Sequence, residues 1–358
     1  MFVQRKTYLE DIKRIRIPEG RDLESGLRLD RNERVDGWSD NILSKIFGEK
    51  PDYFLSVYPD LSGLYEKLAK FNSVKEEEIL VTSGIDGGIK TLFEIMTEPG
   101  DLVGVVSPTY AMYMVYSKLF QTRLENITYN KDLSFNYADF ERFIEKKPTM
   151  FFLPNPNQPI ESAFTVKELE ILAKKLLDAN CLFIIDEAYH LFGCDTGLSL
   201  INKFENVVIA RTFSKGFGVP SIRLGYLISN VSNMDIFSKT RFAHESNSVS
   251  NAVAEYLLDN YKIVKEYNSE VIQARDYTQK ALLAKGIKAN GGKGNYLLLD
   301  MENQDRAQKY VDYLKKNLIY VKGPWGAPWE KYITITIGPK RLMGKFINVT
   351  DNFIQREI

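Results

Sequence analysis

Residues 210–227 read ARTFSKGFGVPSIRLGYL. An apolar strand closing on Thr212 runs into Ser214 and Lys215, then a glycine-containing loop, and Arg223 leads into a second strand. Lys215 offers an amine on a well-defined backbone, which is what an aldehyde needs, while Thr212, Ser214 and Arg223 offer hydroxyls and a guanidinium suited to a phosphate. The same letters also describe a surface lysine in a loop with Arg223 in an ion pair, so the stretch needs support from the rest of the chain.

Upstream, short apolar runs bounded by turn residues alternate with segments of helical period. The runs are 78–82, 102–106, 123–127, 150–153, 181–185, 207–212 and 223–228; the helices are predicted at 61–71, 87–96, 112–119, 136–146 and 165–177. This alternation predicts βαβ units and one open, mostly parallel seven-stranded sheet. Thr165 followed by Glu168 is a capping-box signal for the last of these helices. Beyond residue 231 the pattern becomes a long helical region to about 285, broken near 246–250, then apolar runs at 296–299 and 332–337 and a terminal helix at 340–353. The expected division is an N-terminal segment over the site (1–48), a large domain (49–231) and an interdomain helix with a small α+β domain (232–358).

Three further stretches carry chemistry. In CLFIIDEAYHLFG (181–193) an apolar strand delivers Asp186 at its carboxyl edge, where open α/β sheets place ligands. A carboxylate there needs a partner, and a protonated pyridine nitrogen is a suitable one. Tyr189 can donate to a phenolate oxygen of the same ring. Read alone, Asp186 and Glu187 also resemble a metal-binding Walker B pair, but no GxxxxGK[ST] run accompanies them. In VTSGIDGGIK (81–90) a strand delivers Gly84, and the amides of Ile85 and Asp86 open a helix whose positive end receives phosphate; a plain βα turn has the same letters. In VVSPTYAMY (105–113) Tyr110 can stack on a planar ring or pack as a rim tyrosine.

Composition narrows the field. The 358 residues carry 47 Lys plus Arg against 47 Asp plus Glu, so no basic field points to nucleic acid. Two cysteines and two histidines make neither a disulfide framework nor a Cys/His metal site, and no metal is expected. The N-terminal stretch lacks an apolar leader core and no run is long enough to span a bilayer, so a cytoplasmic protein without membrane association is expected.

Taken in order, these blocks resemble the histidinol-phosphate aminotransferase family of fold-type I pyridoxal-phosphate enzymes, over about 29–338. The resemblance implies pyridoxal 5′-phosphate, with Lys215 holding the cofactor, Asp186 at the pyridine nitrogen, Tyr189 at the phenolate and Tyr110 on the ring face. Gly84, Ile85, Asp86, Thr212, Ser214 and Arg223 surround the phosphate on this reading. LDRNER (29–34), with Asn32, looks like the segment that crosses the site near the substrate. VYPD (57–60) looks like the block whose tyrosine, here Tyr58, reaches the neighbouring subunit's cofactor, which implies a homodimer.

Three departures bear on the substrate. NPNQPIES (155–162) replaces an Asn-Asn-Pro-Thr-Gly pattern, leaving the phenolate amide to Gln158 or Asn157. ITITIG (333–338) puts Thr334 where relatives have the arginine that forks onto an α-carboxylate, and Lys322 stands near a second arginine tied to the distal anion. Arg34 follows Glu33 where relatives commonly have proline; it can restore the charge lost at Thr334, or it is a solvent-facing arginine beside Asp36. The expected activity is ping-pong transamination of a small phosphorylated amine or its keto counterpart, such as serinol phosphate with dihydroxyacetone phosphate, glutamate being the candidate donor. The rivals are a decarboxylase of a phospho-amino acid and a non-catalytic sensor that has kept the pocket.

Overall fold

The computed structural model describes residues 6–12, 20–39 and 41–357. Most of the N-terminal stretch read as lacking a leader core lies outside them. Twelve strands are described: β1 (Leu27–Leu29), β2 (Ile79–Thr82), β3 (Leu102–Ser107), β4 (Arg123–Thr128), β5 (Met150–Pro154), β6 (Leu182–Asp186), β7 (Val207–Thr212), β8 (Gly225–Ile228), β9 (Lys288–Asn290), β10 (Tyr296–Asp300), β11 (Ile319–Val321) and β12 (Tyr332–Thr336).

Seven of them form one sheet in the order β2-β8-β7-β6-β5-β3-β4, parallel except for β8, which runs against β2 and β7. The apolar runs are continuous because this sheet is covered on both faces. In β6, Phe183 and Ile185 join the core on one face with Leu169 and Leu172 of the helix Val166–Asp178. Leu182 and Ile184 join the other with Leu92 and Phe93 of the helix Gly84–Met96. Thr165 caps Val166–Asp178, its hydroxyl accepting from the Glu168 amide at 3.3 Å while the Glu168 carboxylate accepts from the Thr165 amide at 2.8 Å.

The second lobe holds an antiparallel sheet β12-β10-β9 and a two-stranded parallel ribbon, β1 with β11, in which Leu29 stands opposite Val321. A lone bridge between Lys322 and Thr334 ties ribbon to sheet. The helices Tyr261–Leu283, Gln304–Lys316 and Lys340–Glu357 pack around them. The helical region breaks at 241–247, so the expected break near 246–250 overlaps the start of the helix Ser248–Asp259. The lobe's core includes Leu29 and Val35 from the N-terminal segment and Tyr189 and Phe192 from the large sheet's side, so the two lobes meet at the carboxyl ends of β5, β6 and β7. Among the described residues no helix is long and apolar enough to cross a membrane.

Candidate active site

A cavity of about 780 Å³ opens at that junction. Its floor is made by strand ends. After β7, the Thr212 hydroxyl accepts from the Ser214 amide at 3.1 Å and turns the chain, while Phe213 and Phe217, both buried, pin the loop in the core with ring centroids 4.4 Å apart. Ser214 and Lys215 are left on the cavity wall. The Lys215 ammonium donates to the Arg31 carbonyl at 2.7 Å. Burial, helped by Lys322 and Arg223 and opposed by Glu33 and Asp186, lowers its pKa to about 8.

Asp186 stands at the end of β6, buried, and accepts from the Tyr113 hydroxyl at 2.6 Å and from the Ala188 amide at 3.0 Å. Burial raises it to about 6 in spite of those two donors. Tyr113 went unassigned in the sequence; its signal is the one-turn spacing from Tyr110, since both precede or begin the helix Met112–Leu119. Glu187 faces the other way. It is fully buried and bonds Arg211 at 2.7 Å, the Thr196 hydroxyl at 2.8 Å and the Gly197 amide at 2.6 Å. This paired charge cross-links the ends of β6 and β7 and is not half of a metal pair with Asp186.

Gly84 begins its helix at φ +65°, and a Cβ there would lie 2.8 Å from an Arg223 terminal nitrogen. Arg223, itself left-handed at φ 51°, lies 3.4 Å from the Ser214 hydroxyl and 3.7 Å from the Asp86 carboxylate. Tyr110 donates to Asp86 at 2.8 Å. The three therefore surround the helix start that Ile85 and Asp86 open.

The two amides of the 155–162 loop differ. Asn157 is fully buried; its NH₂ donates to the Pro108 and Ile160 carbonyls and its oxygen accepts from Thr109 at 2.7 Å, so every hydrogen-bonding group is used within the fold. Gln158 lines the cavity and makes no side-chain hydrogen bond among the described residues. Across the cavity Asn32, left-handed at φ 53°, donates to the Tyr189 hydroxyl at 2.9 Å and leaves the phenol proton free to point elsewhere.

Two substrate-side candidates are not on the wall, which corrects their expected positions. The Arg34 guanidinium lies between the rings of Tyr267 (3.6 Å) and Trp38 (4.2 Å) with Asp36 at 3.4 Å; its cation–π contacts hold the N-terminal segment down and turn it from the cavity. Thr334 is 1% exposed, and its hydroxyl accepts the Trp325 indole N–H at 2.9 Å. Lys322 does line the cavity, its ammonium 4.5 Å from the Trp325 ring centre. Arg31, absent from the expected set, lines it too. Tyr58 is elsewhere, 82% exposed and stacked on His244 at 4.5 Å.

Residues 27–339 match the family model Aminotransferase class I and II. A histidinol-phosphate aminotransferase of Pyrococcus furiosus is 30% identical over 91% of this chain and 92% of its own. The chain belongs to the histidinol-phosphate aminotransferase-like branch of the class I and II aminotransferases. A dihydroxyacetone phosphate transaminase of Campylobacter jejuni is 27% identical over 92% of this chain and 91% of its own. In fold, this aminotransferase matches the Sinorhizobium meliloti histidinol-phosphate aminotransferase solved with pyridoxal 5′-phosphate, at TM-score 0.89 and 22% identity, covering 100% of this chain and 99% of that one.

Pyridoxal 5′-phosphate is the cofactor of these aminotransferases, and the cavity suits it on its own terms. A buried carboxylate raised by desolvation calls for a cationic neighbour, as a protonated pyridine would be. A lysine amine lowered to about 8 suits an aldehyde. The helix start beside Arg223 and Ser214 suits a phosphate.

Proposed function

We propose that this aminotransferase moves an amino group between a donor and a small phosphorylated amine or its keto counterpart, with serinol phosphate and dihydroxyacetone phosphate as the best-fitting pair. The observation that carries the reading is at position 334: a threonine, sealed under Trp325, in place of a guanidinium fork, with Lys322 keeping a positive charge on the cavity wall. A substrate with a phosphate and no α-carboxylate asks for charge at Lys322 and nothing at 334. Histidinol phosphate and dihydroxyacetone phosphate, for which those relatives are named, both carry phosphate.

Pyridoxal phosphate, when bound, supplies the sink for the electron pair released at the substrate carbon. The rest falls to the chain. Lys215 would hold the cofactor and, once the incoming amine displaces it, take the proton from the substrate carbon. Asp186, oriented by Tyr113, would keep the pyridine nitrogen protonated. Tyr189, positioned by Asn32, and Gln158 would donate to the phenolate oxygen, and Tyr110 would cover the ring. Arg223, Ser214, Thr212 and the Ile85 and Asp86 amides would seat the phosphate.

A homodimer follows from Tyr58. Among the described residues Tyr53, Leu55, Val57, Tyr58 and Phe242 are each more than half exposed, an apolar surface suited to a second copy, and Tyr58 could then serve the partner's cofactor.

The test begins with L-glutamate alone and the absorbance of the holoenzyme. Bleaching of the long-wavelength cofactor band with formation of 2-oxoglutarate identifies the donor half-reaction, after which serinol phosphate is compared with unphosphorylated serinol. Comparable turnover of many unphosphorylated amines would overturn the proposal. Release of carbon dioxide from phosphoserine without net amino transfer would replace it with a decarboxylase.

A further inference from the structure

β1 and β11 are parallel neighbours, so the residues that follow them leave the ribbon side by side. Leu29 pairs with Val321, and the next residues on each strand are Asp30 with Arg31 and Lys322 with Gly323. All four line the cavity. The ribbon therefore delivers two cationic side chains from different parts of the sequence to one stretch of wall, where burial disfavours the Lys322 charge, Asp30 supports it and Arg31 opposes it. Asp30 lies 3.6 Å from the Arg31 guanidinium and is itself bonded by Arg21 at 3.1 Å. The Arg31 carbonyl meanwhile receives the Lys215 ammonium at 2.7 Å, so this residue borders the reacting amine through its backbone and the wall through its side chain. Opposite Lys322 across the lone bridge, Thr334 is closed off by the Trp325 indole.

We propose that Arg31 determines substrate specificity, forming with Lys322 the subsite for the substrate's phosphate and replacing in function the guanidinium missing at 334. The inference rests on the phosphorylated-substrate reading above and deepens it. Lys322 is a point charge, and the Arg31 fork provides the paired N–H donors that a phosphate's oxygens accept in parallel. Arg31 stands two residues beyond Leu29, the end of its strand, and its carbonyl meets the Lys215 ammonium, so the subsite borders the reacting amine.

The test uses holoenzyme and sn-glycerol 3-phosphate, which has the phosphate but no amine to react, with calorimetry as the readout. The variants are Arg31→Gln and Arg31→Lys. The dissociation constant should rise about 10- to 100-fold in Arg31→Gln, as expected for losing a charge-assisted pair, and by less in Arg31→Lys. The preference for serinol phosphate over serinol in kcat/KM should fall in parallel. If the parent binds glycerol phosphate and both variants bind it equally well, this assignment is wrong while the phosphorylated-substrate reading stands. If the parent neither binds glycerol phosphate nor prefers serinol phosphate, that reading itself fails. Should both variants lose the cofactor absorbance, Arg31 belongs to the fold and the assignment is overturned.

Discussion

Burial moves Lys215 and Asp186 toward their neutral forms, and each displacement has a consequence that can be measured. Lys215 falls from the usual 10.5 to about 8. Between those values the unfolded chain keeps a proton that the folded chain has released, so the cofactor-free protein should gain stability as pH rises from about 8 to 10. Below pH 8 both states are protonated and the cost of the buried ammonium is complete. We expect a gain on the order of 1–2 kcal/mol, screened by the open cavity, and its disappearance in Lys215→Met; denaturant unfolding at pH 7.5 and pH 10 gives the comparison. Asp186 has the reverse slope: raised to about 6, it costs stability as pH climbs from about 4 to 6. A cation beside it removes that cost, which is why the end of β6 suits a pyridinium. At this scale the sequence was legible wherever a residue sits on a strand end: Asp186, Thr212, Ser214 and Lys215 all line the cavity. Arg34 and Thr334 stand off the cavity wall because neighbouring rings, Tyr267 and Trp38 for one and Trp325 for the other, decide where they point.

The strand-to-helix turn at Gly84 is the element on which the proposed phosphate seat rests. Its φ of +65° is open to glycine and strained for other residues, and an added Cβ would press on Arg223 at 2.8 Å. Gly84→Ala should therefore weaken cofactor binding about 10-fold or more, in line with about 1–3 kcal/mol of backbone strain plus a displaced guanidinium. Gly87→Ala, whose Cβ would meet Ser83 and Thr82 at 3.4 Å, should bind as the parent does; titration of cofactor-free protein with pyridoxal phosphate, followed by absorbance, separates the two. Elements with long apolar runs or caps were readable, since the central strands of the sheet, such as β5, β6 and β7, are buried on both faces. The ribbon of β1 and β11 was not, because strands of three residues carry no period. The helix Gln304–Lys316 is not among the expected elements either, although Asn303 caps it and Ala307, Tyr310 and Leu314 form its buried stripe.

For the whole molecule, the position of Tyr58 predicts shared sites. A side chain 82% exposed and away from its own cavity can reach a cofactor only in another subunit. Mixing Tyr58→Ala with Lys215→Ala, each expected to be nearly inactive alone, should restore activity, because a mixed dimer has one site with both Lys215 and the partner's tyrosine. Absence of recovery in a mixture shown by sedimentation to contain dimers would remove Tyr58 from the site.

The sequence by itself determined the seven-stranded sheet, the family and which strand-end residues gather at one cavity. Those features follow from apolar runs, from glycines that backbone geometry demands and from side chains whose direction a strand end dictates. Lys322 was legible too, but only the tertiary structure put Arg31 beside it on the cavity wall. Arg31 and Lys322 become neighbours only when two short strands pair across the chain, and of the two amides on the cavity wall Asn157 spends its side chain on Pro108, Thr109 and Ile160 while Gln158 does not. Such contacts depend on which surfaces fold together, and no local spacing encodes them.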